Sequence, residues 1–230
     1  EPLSSIVPVM TQKSKLVVGL DMNDAEAMGL VKFDLLGLVN LDILRAACDE
    51  IERVKGTRPR LDDIPWTDEK TLAMLSTGDG YGVFQVEGYG LRQLMKRMKP
   101  THFRDLSALV ALFRPGPLKA GMDLSYVERK HGREPIQTIH PLLDDILSDT
   151  YGVLVYQEQV LRIARDMADY SLADADLLRR AIGKKKLKEM LAHKQRFIQG
   201  GVEKGIDEVI MATIWDQIVG FAEYAFNRAH

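Results

Sequence analysis

From Leu38 onward, apolar residues recur at three- and four-residue intervals, and this periodicity commits most of the chain to α-helix. Leu41, Ile43, Leu44, Ala47, Cys48 and Ile51 recur in this way. Further helices are expected over residues 67–75 and 88–98, in a segment ending near Phe113, and over 141–147, 156–170, 172–182, 187–198 and 207–221. Proline and glycine punctuate the series. Pro100 stops one helix, and Thr101 or Asp105 can cap the next. Arg114-Pro115-Gly116-Pro117 reads as a rigid turn, because proline fixes φ and glycine admits the opposite sign. Gly183 and Gly200-Gly201 read as C-terminal stops. Residues 1–38 differ. Val7, Val9, Val17 and Val18 are scattered among turn formers, residues 24–28 suggest a turn or two of helix capped by Asn23, and Val31-Lys32-Phe33-Asp34-Leu35 alternates as a short strand would. Residues 83–86 suggest a second brief strand. The expected fold is mainly α: a large helical domain, 39–230, attached to a small α/β edge, 1–38, with one or two short strands.

Composition narrows the function classes. Of 230 residues, 46% are hydrophobic and 28% charged, which supports a packed core. A net charge of −2 excludes a protein that is basic all over, but not a local basic patch. Cys48 is the only cysteine, so a disulfide framework is excluded and a reducing cytoplasm is expected. The five histidines lie far apart and suggest no metal motif. The nearly apolar run 106–113 is too short to span a bilayer, so no membrane partner is expected. The first five residues lack the basic start and apolar core of a signal peptide. Without an initial Met, the chain reads as a piece of something longer.

Four constellations could carry chemistry. Lys32 and Asp34 lie two apart, so in a strand they would project from one face. A carboxylate at a strand end is a good Mg²⁺ ligand, and the lysine could hold a phosphate. On spacing alone, an exposed ion pair worth little accounts for them better. Residues 179–196 hold eight basic side chains and one acidic, Glu189. Such a concentration, including Arg179, Arg180, Lys184, Lys185 and Lys186, is an electrostatic footprint for phosphates. The plainer account has Arg179 and Arg180 complementing a helix C-terminus and pairing with Asp176 at i,i+3 or i,i+4, but three successive lysines after Gly183 exceed what it explains. Arg92, Lys96, Arg97, Lys99 and Arg104 form a third cluster with no acidic residue between Gly88 and Arg104. It suits a nucleic-acid backbone or a solvated face equally. The fourth, Arg129-Lys130-His131-Gly132-Arg133, is expected to be an exposed basic turn. In Tyr156-Gln157-Glu158-Gln159, satisfied core polar groups are the expected reading, and Met190 and Trp215 are expected in the core.

Together these stretches resemble one family. Gly29-Leu-Val-Lys-Phe-Asp34-Leu-Leu-Gly-Leu38, Val83-Phe-Gln-Val-Glu87, Ala108-Leu-Val-Ala-Leu-Phe-Arg-Pro-Gly-Pro-Leu118, Arg129-Lys-His-Gly-Arg-Glu134, Tyr151-Gly152, Tyr156-Gln-Glu-Gln159, Leu178-Arg-Arg-Ala-Ile-Gly-Lys-Lys-Lys186 and Phe226-Asn-Arg228 occur in this order. The set resembles the alpha, catalytic subunit of bacterial DNA polymerase III, the C-family replicative polymerase. The resemblance implies that 1–38 is the C-terminal segment of the palm and 39–230 most of the fingers. It implies that Asp34 is the third of three catalytic aspartates holding two Mg²⁺ ions, with Lys32 beside it, and that the other two lie upstream of this chain. It implies that Arg179, Arg180, Lys184 and Lys185 meet the triphosphate of the incoming dNTP. Arg92, Lys96 and Arg114 are expected on DNA. Primer–template DNA, the remaining polymerase domains, and a sliding clamp and clamp loader bound elsewhere are the implied partners. Alone, such a piece would be inactive. The rival class is a non-catalytic helical module that binds nucleic acid or a partner, and a purely structural scaffold is a third.

Overall fold

The computed structural model describes residues 2–33, 35–183, 187–222 and 224–228, with nothing described for the side chains of residues 187 and 222. Two compact units divide the chain, Glu1–Leu61 and Asp62–His230. Among the described residues it is mainly α, with twelve helices and one two-stranded sheet.

In the first unit, β1 (Val9–Gln12) and β2 (Lys15–Val18) form an antiparallel hairpin in the register Val9↔Val18 to Gln12↔Lys15. Its two-residue turn places Lys13 and Ser14 in the left-handed region, at φ 47° and 61°. That is the hand that matches the twist of the strands, usually supplied by Asn-Gly. Helix α1 (Met22–Ala27) is capped by Asp21 rather than Asn23; its carboxylate accepts from the N–H of Asn23 at 2.8 Å and of Asp24 at 3.0 Å. The strand expected over 31–35 is absent among its described residues, which are exposed coil outside the β1–β2 sheet. Alternation over five residues is too short a signal without a neighbour to complete the ladder. Helix α2 (Val39–Lys55) ends on Gly56 in the left-handed region at φ 71°. Cys48 is buried, whereas Leu41, Ile43 and Leu44 are exposed.

The second unit is built on two hydrophobic cores. The first gathers α3 (Glu69–Ser76), α4 (Tyr89–Met98), α5 (Phe103–Leu112) and α7 (Met122–Lys130) around Leu94, Met95, Met98, Leu109, Leu112 and Tyr126. The second gathers α8 (Pro141–Leu147), α9 (Gln157–Ala168), α10 (Leu172–Gly183), α11 (Leu187–Glu203) and α12 (Glu208–Ala222) around Ile163, Met167, Leu178, Phe197, Met211 and Trp215. Trp215 is buried as expected, and Met190 packs against this core. Met122 packs against both. Each fully buried aliphatic side chain contributes about 1.5–3 kcal/mol relative to exposure.

Four expectations are corrected here. Residues 83–86 form turns, not a strand. The segment after Arg114 is a short helix, α6 (Pro115–Lys119), because a proline at the first helical position loses no needed N–H and is already set to the helical φ. Helix α11 runs through Gly200 and Gly201, where the missing side chains admit neighbours. A Cβ on Gly200 would run into the Ala168 carbonyl, and one on Gly201 into Met211. Finally, Arg129 and Lys130 are not an exposed turn. They close α7, and the Lys130 side chain is only 5% exposed.

Lys130 is buried because Asp105 is. The Asp105 side chain is 0% exposed, and its carboxylate meets Lys130 Nζ at 2.8 Å, the Thr101 N–H at 2.9 Å, the His102 N–H at 3.2 Å and the Tyr126 hydroxyl at 3.2 Å. Burial pushes the Asp105 carboxyl up, but the Lys130 hydrogen bond and the backbone donors outweigh it and hold it below the usual carboxylate range. The same burial raises the Tyr126 phenol far above its ordinary value. Lys130→Met would leave the carboxylate buried without its counter-ion. The expected loss is about 3–5 kcal/mol at neutral pH, read by urea denaturation. A carboxyl with a depressed folded pKa stabilises above its unfolded pKa of about 4, and the gain vanishes as pH falls through the folded value. The gap between wild type and Lys130→Met therefore narrows below about pH 4.

Candidate functional site

The seam between the two cores of the second unit is where distant parts of the chain meet. Val153, Val155 and Tyr156 belong to the first core, and the next residues start α9, which belongs to the second. At this change-over, residues 155–157 pair with the segment after α12. Phe226 N–H donates to the Val155 carbonyl at 3.1 Å, and Gln157 N–H donates to the Phe226 carbonyl at 2.8 Å, a single parallel bridge between Tyr156 and Phe226.

Side chains lock this pairing. The Gln157 amide donates to the Ala225 carbonyl at 3.4 Å. Glu158 accepts from the Arg228 N–H at 3.0 Å, and the Arg228 guanidinium lies 5.3 Å from the centre of the Tyr156 ring while bonding Asp149 at 3.2 Å. Desolvation raises the Tyr156 phenol to about 12. Arg114 approaches from α6, donating to the carbonyls of Ala111, at 2.9 Å, and Tyr224, and lying 4.9 Å from the centre of the Phe226 ring. Gly116 makes this approach possible, since a Cβ there would overlap the Tyr224 ring. Gln159, by contrast, is a satisfied core group, as expected. Its oxygen accepts from the Val155 and Tyr156 N–H groups at 2.8 and 2.9 Å, and its nitrogen donates to Thr150 at 2.7 Å.

Arg179 ties α10 to the same place. Its Nη1 donates to Gln157 Oε1 at 3.3 Å, and its Nε and Nη2 donate to one oxygen of Asp176 at 2.9 and 2.7 Å. The other Asp176 oxygen takes Arg180 at 2.7 Å. Both anticipated pairings, i,i+3 and i,i+4, are therefore made at once, and one carboxylate presents two guanidiniums side by side. The Arg179 hydrogen bonds hold the Asp176 carboxyl below its usual range. Arg180 is 62% exposed, so its pair adds little to stability. The arrangement leaves a planar cation facing solvent at the end of a helix, a geometry suited to phosphate oxygens.

The site residues expected from sequence are thus partly brought together. Arg114 reaches Tyr224 and Phe226, Arg179 reaches Gln157, and Arg180 is tied to Arg179 through Asp176. Arg92 and Lys96 stand on α4 instead; the Arg92 Nε bonds the Gly78 carbonyl at 2.7 Å. Lys32 belongs to the first unit, where it lines a largely apolar cavity of about 510 Å³ with Leu20, Asp21 and Leu30. Asp34, Lys184 and Lys185 lie outside the described residues. Gln157, Asp149 and Arg228 were not anticipated as members of the cluster; the one signal for Gln157 was a polar run at an otherwise apolar helix start.

Two guanidiniums paired on one carboxylate beside this seam are a geometry suited to an anionic group. Sequence comparison makes this specific. The family described as "Bacterial DNA polymerase III alpha subunit finger domain" matches residues 40–205, and the chain belongs to it. It is 42% identical to the DNA polymerase III subunit alpha of Mycobacterium tuberculosis over 100% of this chain and 20% of that protein. It is 46% identical to that of Pseudomonas aeruginosa over 94% of this chain and 19% of the relative, and 41% identical to that of Aquifex aeolicus over 100% and 20%. The chain spans about a fifth of the length of these curated relatives.

Gly116→Ala is expected to push Tyr224 off α6 and loosen the 224–228 segment. Overpacking of this kind costs about 1–3 kcal/mol. Thermal unfolding would register it, and hydrogen exchange at the Gln157 and Phe226 amides would rise with it.

Proposed function

We propose that this chain is the fingers, residues 39–230, with a terminal segment of the palm, residues 1–38, of a cytoplasmic DNA-directed DNA polymerase that replicates bacterial DNA. The observation that carries the reading is the convergence of Arg114 on Tyr224 and of Arg179 on Gln157, with Arg180 held beside Arg179 by Asp176, which brings motifs 110 residues apart in sequence to one seam. Support for this division is the start of the family match at residue 40; the compact units part later, at residue 61.

In this reading, Arg179 and Arg180 neutralise the triphosphate of the incoming dNTP, with Lys184 and Lys185 extending the same charge. Asp176 holds the two guanidiniums in register, so that less rotamer freedom is lost when phosphate arrives. Arg92, Lys96 and Arg114 bear on the DNA backbone. Asp34 supplies one carboxylate to a pair of Mg²⁺ ions, and Lys32 orients it or offsets negative charge. Among the described residues, no three His, Cys, Asp or Glu side chains gather as a cation site, and the remaining ligands are assigned to two aspartates of the longer protein. When bound, such ions activate a primer hydroxyl and steady a leaving pyrophosphate. The other polymerase domains, a sliding clamp and its loader complete the partners.

Primer extension by the subunit that carries this chain tests the reading. Arg180→Ala is expected to raise the dNTP KM more than it weakens DNA binding, with a total loss of about 10²-fold in kcat/KM. The reverse balance would assign Arg180 to the DNA backbone. Asp34→Asn is expected to abolish extension while leaving DNA binding intact. Unchanged extension would favour a non-catalytic helical module.

A further inference from the structure

Helix α4 divides sharply into two sides. Leu91, Leu94, Met95 and Met98 are buried in the first core. Tyr89, Arg92 and Lys96 succeed one another at i,i+3 and i,i+7, so they neighbour each other along the opposite face. Lys99 caps the helix in the left-handed region. No carboxylate occurs from Gly88 to Arg104, the nearest in the preceding turns being the exposed Asp79 and Glu87.

Two aromatic rings flank these cations in the open. Tyr89 is 76% exposed, and Tyr81, in the turn before the helix, is 71% exposed. The Arg92 guanidinium lies 3.7 Å from the centre of the Tyr81 ring, and its Nε is fixed on the Gly78 carbonyl. The start of the helix is rigid beneath Tyr89, because a Cβ on Gly90 would come within 2.5 Å of the Phe113 ring. Rings so exposed contribute little to the core. Their π-faces suit unpaired bases, and cations one and two turns further along suit the phosphates between them. A duplex hides its base faces and could use only the cations.

We propose that α4 and the turn before it form a stacking platform for single-stranded nucleic acid, with bases on Tyr81 and Tyr89 and phosphates on Lys96 and Lys99. This goes beyond the backbone contacts assigned to Arg92 and Lys96, and it rests on the polymerase reading only for the identity of the strand as DNA.

The test is fluorescence titration of the 230-residue chain with an oligonucleotide containing 2-aminopurine, single-stranded and as a blunt duplex. The single strand binds more tightly, and its emission is quenched by stacking. Tyr89→Ala and Tyr81→Ala each weaken single-strand binding about tenfold without changing its salt dependence, while Tyr89→Phe and Tyr81→Phe bind as wild type. Lys96→Ala lowers the salt slope by about one. Preference for duplex, unquenched emission, or alanine variants that bind as wild type would each overturn the platform. Extension kinetics of Arg180→Ala read the nucleotide site separately. Loss of the tyrosine effects with the Arg180 effect intact refutes the platform alone; the opposite result refutes the nucleotide site alone.

Discussion

Two backbone hydrogen bonds, from Phe226 to Val155 and from Gln157 to Phe226, organise the second unit. They join the strand-like entry to α9 to the stretch that follows α12, and so close a loop of about seventy residues. Loop closure on this scale costs entropy, which the bonds do not repay alone. Arg114, Glu158 and Asp149 add charge-assisted contacts to the same segment, and the second hydrophobic core fills the interior of the loop. The cationic site is a by-product of this closure, because Gln157 serves both the backbone pairing and Arg179.

Electrostatics works differently at the two places where charge is concentrated. Between Lys130 and Asp105 the ions are buried, fully hydrogen-bonded and surrounded by the first core, so their role is to fix α5 against α7. At Asp176 the ions are half exposed and shared three ways. Water screens such a pair, and exchanging the carboxylate for another anion is inexpensive. Burial therefore separates a structural charge from an available one, although the two read alike as basic runs in the sequence.

Much of the helical framework was legible from periodicity, and the pairing of Asp176 with both arginines followed from helical spacing. What was missed shares a physical origin. The β1–β2 hairpin turns on Lys13-Ser14, which carry none of the glycine signal that a left-handed turn normally shows. The α7 helix was hidden by its basic end, since charge says nothing about burial until Asp105 is placed opposite Lys130. Gly200 and Gly201 were read as a stop, but close packing against Ala168 and Met211 uses glycine equally well. Arg228 and Asp149 are 79 residues apart, and no local pattern reports a contact of that range. The family resemblance recovered the motifs but not which of them touch.

The glycine-on-ring contact between Gly90 and Phe113 has a mechanical consequence. With the Gly90 backbone set against the tip of the Phe113 ring, no side chain of α4 lies between the helix and the residue adjoining Arg114. Any roll of the helix must displace the phenyl group, and with it the guanidinium that holds Tyr224. The position of α4 and the anchoring of Tyr224 are thus linked through one close contact.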